Sequence, residues 1–492
     1  MRFLDNEQRE QIGFSFIMDE LAVITPYGSL EKKNIRPYSA GEFDLLIEEL
    51  NNVEIIMKFM VSYKDKFNCI VRVLHKFKDI RNSLKRAKEL EVLDEIELYE
   101  IKNIALNMQV IKENLELMQL PIKKVQLLDL SKLVELLDPG HKKMSTFYIY
   151  EEYSDKLRDI RQLKREKEKA IFGCKDDNEL ENLKNERLDL VIEEENEELI
   201  IRKSLTEKIG NYIENINCNL DAIGILDLLM AKGTLANKYN CVKPDISKEM
   251  NIELIDMVNP EIENILNKKG KKFSPVTIEL KSGTTVITGA NMGGKSVALK
   301  TIVLNLFLGQ LGFFVFGKKA TYPILDFIYF ISDDMQSISK GLSTFGAEII
   351  KLKEVIESTK RGVGFIALDE FARGTNPKEG YYLVKSLANY LQRFSTVTLI
   401  STHYDGVVED PMVHYQVVGL KNIDLSKLKY KINLNKTHSV EIIQEHMEYK
   451  LEPVGRDNEV PKDALNIAML LGLESDIVDI AKTYYEEEYH GK

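Results

Sequence analysis

The sequence predicts an α/β sheet domain preceded by a mostly α-helical core, and three observations predict it. Apolar residues recur at helical spacing through most of the first 272 positions, as in GEFDLLIEELNNVEIIMKFM from Gly41 onward. Beyond Lys272, β-branched runs alternate with helix-forming stretches, the pattern of an α/β sheet. Between one such run, TTVIT, and a helix-forming segment stands a G-x-x-x-x-G-K-[ST] match, Gly289 to Ser296. Of the 492 residues 44% are hydrophobic and 29% charged, enough apolar content to fill several cores and too much for a disordered chain.

Residues 1–40 open with MRFLDNEQRE, a charged run without the apolar stretch of a signal peptide. Residues 41–262 are expected to form the helical core. Within it, two charged arms at 152–171 and 179–208 flank a polar break at Gly173–Asn178. Arms joined by so short a link fold back as an antiparallel coiled-coil hairpin, and an arm of that length projects roughly 30 Å. Residues 209–262 return to helical periodicity. Pro275–Leu280 and Thr284–Thr288 read as strands, as do Val363–Leu368 and Thr396–Ile400. These place the α/β domain at 263–440, and a tail at 441–492 carries two helices around Gly472.

The balance of 67 Lys+Arg against 78 Asp+Glu gives −11, whereas proteins that grip nucleic acid over much of their surface are more often basic. No run of 18 apolar residues exists, so no membrane span is expected. Four cysteines stand far apart with no C-x-x-C pair, which points to a reducing cytoplasm and away from a zinc site or a disulfide framework.

The G-x-x-x-x-G-K-[ST] match comprises Gly289, Ala290, Asn291, Met292, Gly293, Gly294, Lys295 and Ser296, with Val297 opening the helix. Its glycines let backbone N–H groups wrap the phosphates of a nucleotide, ATP, and the helix N-terminus adds a positive dipole. Lys295 is expected to reach the β- and γ-phosphates and Ser296 to ligate Mg²⁺. Asp369 and Glu370 end an apolar strand; the first is the candidate for the Mg²⁺ side, the second for orienting water or accepting its proton. His403 ends a third strand, where it is placed to sense the γ-phosphate.

Together these segments resemble the ATPase of the MutS family, within the wider ABC-type group. The residues that carry the resemblance are TGANMGGKS, SDD at 332–334, GLSTFGAEI at 341–349, LDEFARGTNP at 368–377 and STHY at 401–404. The LSGGQ-like signature of a transporter ATPase is absent. The likeness spans roughly 263–490 and implies a MutS-like P-loop ATPase domain behind a helical lever with a coiled-coil hairpin. It implies ATP and Mg²⁺ as ligands, with Lys295, Glu370 and His403 catalytic. It also implies a dimer with itself or with a related subunit, in which Ser343 and Thr344 complete the partner's nucleotide site and the helices at 460–490 hold the pair. Arg373, Gly374, Thr375 and Asn376 fall in the loop that communicates between the sites. Phe273 and Tyr449 are the two candidates for stacking on adenine.

Departures from the family bear on the client. With about 40 residues before the core, the domain whose Phe-x-Glu wedge enters mismatched DNA is not expected, nor, with the dimer helices reaching 490, is the small nuclease domain of the branched-DNA paralogue. The hairpin tip reads Lys175-Asp176-Asp177-Asn178-Glu179, and residues 151–200 carry 10 basic and 17 acidic side chains. An acidic tip repels phosphate. The first expectation is a dimeric clamp acting on DNA without reading mismatches. The alternative is an ATP-driven reactivase whose client is a protein, a cobalamin-dependent aminomutase. A scaffold that binds nucleotide without turnover fits poorly with Lys295, Ser296, Asp369, Glu370 and His403 all present.

Overall fold

The computed structural model of the chain describes residues 3–142, 148–289, 293–332, 344–420, 446–455 and 463–490, together with Leu428 and Ile432. The chain divides into two compact units, one of residues 1–21, 36–54 and 232–492, the other of residues 22–35 and 55–231.

In the first unit the described strands form two sheets. β1 (Asp245–Ser247), β2 (Asn251–Met257), β3 (Val276–Lys281) and β5 (Lys319–Pro323) make the smaller, in the order β1-β5-β2-β3. The larger is built from β4 (Gly283–Thr288), β6 (Ile328–Ser332), β7 (Phe365–Asp369), β8 (Val397–Ser401), β9 (Val413–Gly419) and β10 (Glu448–Pro453), in the order β10-β9-β4-β8-β7-β6. All its pairings are parallel except β10 on β9. Every residue of β4, β6, β7 and β8 is buried, as strands of a parallel sheet covered on both faces must be. Val286, Ile366, Leu368 and Ile400 pack with Val355 of the helix Thr344–Thr359 and with Val384, Ala388 and Leu391 of the helix Pro377–Leu391. The helix Lys295–Gln310 touches β2 and β3 of one sheet and β6, β7 and β8 of the other. That placement between two sheets explains why its sequence is apolar almost all round.

Two local outcomes differ from the sequence reading. Residues 209–262 were expected to be helical throughout, but the helix ends at Lys238 and the chain then enters β1 and β2. NIELIDM is short, and its Ile252 and Leu254 fit an alternating as well as a helical pattern; antiparallel pairing with β3 settles it as a strand. Second, β3 and β4 are nearly contiguous yet lie in different sheets. Gly283, at φ +97°, makes the switch, and a Cβ there would stand 2.5 Å from the side-chain nitrogen of Gln392.

The first twenty residues belong to this unit. Gln8 Nε2 donates to the Phe330 carbonyl at 2.5 Å, Ser332 Oγ donates to Gln11 Oε1 at 3.2 Å, and Lys351 pairs with Asp5. The segment thereby covers β6, the strand that ends the larger sheet.

The second unit is helical, with helices Lys64–Leu74, Arg81–Lys88, Glu95–Met118, Ser131–Leu137, Asp155–Gly173 and Asp177–Gly210. The last two are the arms of the hairpin. Arg161 pairs with Glu194 and Glu198, Lys164 with Glu194, Lys167 with Glu186 and Arg187 with Glu168. Partner numbers on one arm fall as those on the other rise, the mark of antiparallel packing. At the tip, Asp176 caps the second arm by accepting from the Asn178 and Glu179 amides. At the base, the Arg161 guanidinium is buried and also donates to the Ile149 carbonyl at 2.7 Å. Arg161→Ala leaves Glu198 and the Ile149 carbonyl without this donor and Glu194 with Lys164 alone, and should destabilise the hairpin base by about 2 kcal/mol. Hydrogen exchange of amides in both arms checks this: faster exchange in the variant is expected, and an unchanged pattern would refute it.

Candidate functional site

The site is built where the parallel strands end. Register aligns Ile287 of β4 with Ser401 of β8, Ser401 with Asp369 of β7, and Asp369 with Ser332 of β6. Ligands of open α/β sheets bind beyond this carboxyl edge. The chain leaves β4 through Gly289, at φ +137°, where a Cβ would lie 3.2 Å from that of Val417. It enters the helix Lys295–Gln310 through Gly294, a left-handed N-cap at φ +82°. Both glycines answer to backbone geometry that other residues adopt at a cost. Ala290, Asn291 and Met292 lie outside the described residues, and Gly293 is buried beside them.

Lys295 is 2% exposed. Its ammonium donates to the Gly289 carbonyl at 2.7 Å and stands 3.4 Å from Glu370 Oε1. Burial pushes its pKa down, while Glu370 and Asp369 oppose the shift. Asp369 accepts from Ser401 Oγ at 2.6 Å and from the Ser296 hydroxyl. Burial raises its pKa, and these two hydrogen bonds pull the other way. Ser296 and Asp369 are thus adjacent, although 73 positions separate them. Val297 sits in the first helical turn, half-buried, its carbonyl accepting from Thr301 Oγ1.

Glu370 is 7% exposed and has φ +49°, a left-handed conformation uncommon outside glycine. Its amide donates to both the carbonyl oxygen and Oγ of Ser401, at 3.1 and 3.2 Å. Its carboxylate is gripped from two sides, by Lys295 and by Arg373 Nη1 at 2.7 Å. The next turn is fixed by the Ala372 amide donating to buried Glu348. His403 stands exposed at the end of β8, ring to ring with Tyr404. Partial desolvation lowers its pKa, with Lys295 and Arg373 pushing the same way and Glu370 opposing.

The structure therefore brings together Gly289, Gly294, Lys295, Ser296, Asp369, Glu370 and His403. Of the two aromatic candidates, Tyr449 of β10 lies beside the loop: a Cβ on Gly294 would approach its ring to 3.0 Å. Phe273 sits half-buried between the helix Pro260–Lys268 and β3, and no hydrogen bond or ring contact ties it to the loop among the described residues. Thr344 opens the helix Thr344–Thr359, and Ser343 lies outside the described residues. Two contributors were missed. Ser401 was passed over because its role depends on cross-strand register. Arg373 was assigned to a communicating loop, yet it is a partner of Glu370; their i,i+3 spacing was the available signal. Among the described residues no cluster of His, Cys, Asp and Glu is arranged to hold a metal by itself. No described helix is long and apolar enough to cross a membrane.

Residues 285–476 match the family model of MutS domain V. The chain is similar to Endonuclease MutS2 of Clostridium tetani, 29% identical over 312 residues, covering 63% of this chain and 36% of the relative. Against Endonuclease MutS2 of Agathobacter rectalis identity is 30% over 226 residues, 45% and 28% of the two chains. DNA mismatch repair protein MutS of Bacillus licheniformis is 26% identical over 306 residues, 61% and 33% respectively. The chain spans about a third of the length of these curated relatives. The matched segment begins within β4 and holds Lys295, Ser296, Asp369, Glu370 and His403.

Proposed function

We propose that this protein is a dimeric, Mg²⁺-dependent ATPase of MutS type that acts as a clamp on DNA in the cytoplasm. The observation that carries the reading is the meeting of Lys295, Ser296, Asp369 and Glu370 at one sheet edge, inside the segment matched to MutS domain V. The donor set fits Mg²⁺: a hydroxyl and a carboxylate, both hard oxygens, already lie within hydrogen-bond reach of each other. Ser296 and Asp369 would hold the ion, which when bound supplies charge neutralisation across the phosphate oxygens.

The remaining roles belong to the chain. Lys295, tethered to the Gly289 carbonyl, presents its ammonium where the loop turns into the helix, in reach of phosphate. Glu370 orients water or accepts its proton, and the left-handed backbone held by Ser401 sets its direction. Arg373 and Lys295 hold the Glu370 carboxylate in place. His403 stands at the rim as a sensor. Dimerisation is supported by the helix Ser475–His490, which leaves Ile477, Ile480 and Tyr484 exposed on one stripe, with Leu471 and Leu473 exposed just before it. Ser343 and Thr344 are proposed to complete the partner's site.

DNA as the client rests on the relatives, whose names are those of a DNA mismatch repair protein and an endonuclease. One observation favours a second reading, a protein client such as a cobalamin-dependent aminomutase. On the hairpin, Lys156, Arg161, Lys164, Arg165, Lys167 and Arg187 are all engaged with glutamates, and residues 151–200 carry a net charge of −7 that opposes phosphate.

Glu370→Gln should lower turnover by at least about 100-fold while nucleotide still binds, and Lys295→Ala should lose binding itself. Steady-state hydrolysis beside fluorescent-nucleotide titration separates the two; a Glu370→Gln enzyme that turns over normally would refute the assignment. Ser401→Ala should lower kcat about tenfold and raise the Mg²⁺ concentration needed for half-maximal rate, with Ser401→Thr restoring both. An Mg²⁺ requirement unaffected by Ser401→Ala would reduce this serine to a packing role. Hydrolysis should rise when duplex or branched DNA is added at low salt and respond less at physiological salt. A rate indifferent to all DNA would move the weight to the protein client.

A further inference from the structure

Positive charge in the helical unit is concentrated in one stretch. Residues 58–88 hold ten Lys or Arg and two acids, a net of +8 in a chain whose total is −11. The helix Lys64–Leu74 buries Phe67, Ile70, Val73 and Leu74 and leaves Lys64, Asn68 and Arg72 exposed, with exposed Lys76 following at the same four-residue spacing. The helix Arg81–Lys88 buries Ser83, Leu84 and Ala87 and exposes Arg81, Lys85 and Lys88. Both helices are amphipathic, and the outer face of each is basic.

Acids are far scarcer around these cations, two in residues 58–88 against 17 in residues 151–200. Lys78, Arg81, Lys85 and Arg86 have acidic partners, but Lys64, Lys66, Arg72, Lys76 and Lys88 have none among the described residues. Like charges held together on a folded surface repel one another, a cost that an anionic partner removes. At the corner between Phe43–Ser62 and Lys64–Leu74, Val61 and Tyr63 are exposed, the Tyr63 ring 5.5 Å from that of Phe59. Seven of the ten cations are lysines, compact point charges suited to phosphate; the planar fork that reads bases bidentately is scarce.

We propose that the stretch 58–88 is the surface on which this protein holds the phosphate backbone of duplex DNA, an inference that rests on the DNA reading above and relocates the contact away from the hairpin tip. Binding there is electrostatic and indifferent to base sequence.

The test is fluorescence anisotropy of labelled duplexes of two unrelated sequences with the full chain, from 50 to 200 mM salt. Compared with wild type are the triple variant Lys64→Glu, Arg72→Glu, Lys76→Glu, its milder counterpart with Gln at the same positions, and Lys175→Glu at the hairpin tip. The Gln variant should weaken binding about tenfold or more and reduce the slope of log affinity against log salt by about 3; the Glu variant should weaken it further. Lys175→Glu should bind as wild type does, and basal ATP hydrolysis and circular dichroism should be the same in all four. Wild-type binding that survives both triple variants with an unchanged salt slope would overturn the assignment and leave the DNA reading standing. No duplex binding by wild type even at 50 mM salt would overturn both.

Discussion

Three ionisable side chains, Lys295, Asp369 and Glu370, are buried within hydrogen-bond reach of one another or of shared partners. Removing a charge from water costs several kcal/mol per ion even after relaxation, and mutual attraction offsets that only with good geometry and further hydrogen bonds. The chain supplies both. Lys295 is shared between a carbonyl and a carboxylate, Asp369 between two hydroxyls, Glu370 between two cations. With Arg373 counted, the cluster holds two positive and two negative charges. Such balance lets it persist at the end of fully buried strands, where a single unpaired carboxylate would be driven to its neutral form.

Geometry of that quality has to come from the scaffold. Asp369 and Ser401 are cross-strand partners on parallel strands, so the distance between them is set by the ladder rather than by flexible side chains. The left-handed backbone at Glu370 is a local cost that the surrounding structure pins, through an amide shared between two oxygens of Ser401 and through Ala372 bonded to Glu348. Strain held by several independent bonds fixes a side chain more firmly than a rotamer preference does. The proposed role of Glu370 toward water needs that property.

How much of this was legible in the sequence depended on whether the chemistry was local. Gly289 to Ser296 and the pair Asp369-Glu370 could be singled out because each is a run of consecutive residues at the end of a strand that the sequence also announced. Ser401 could not, since its partner is 32 positions away and the link exists only once β7 and β8 are in register. The strand Asn251–Met257 was hidden for another reason: seven residues are too few for period 2 to be told from period 3.6. On the hairpin the charged pattern announced two helices and their return. It could not say that the arginines and lysines face the glutamates of the opposite arm, which decides whether they are available to a ligand.

Charge averaged over the chain was the least informative quantity. A total of −11 argues against a nucleic-acid partner only if charge is spread evenly, and here it is not. Residues 151–200 carry −7 with many of their cations internally paired, whereas residues 58–88 carry +8 with five cations unpaired among the described residues. At physiological ionic strength the screening length is about 8 Å. A phosphate at the surface therefore responds to the few side chains nearest it and hardly at all to the sum. Two oppositely charged stretches within one helical unit act on ligands as separate surfaces, so an acidic protein can hold an anion wherever its folding leaves cations without acids to pair.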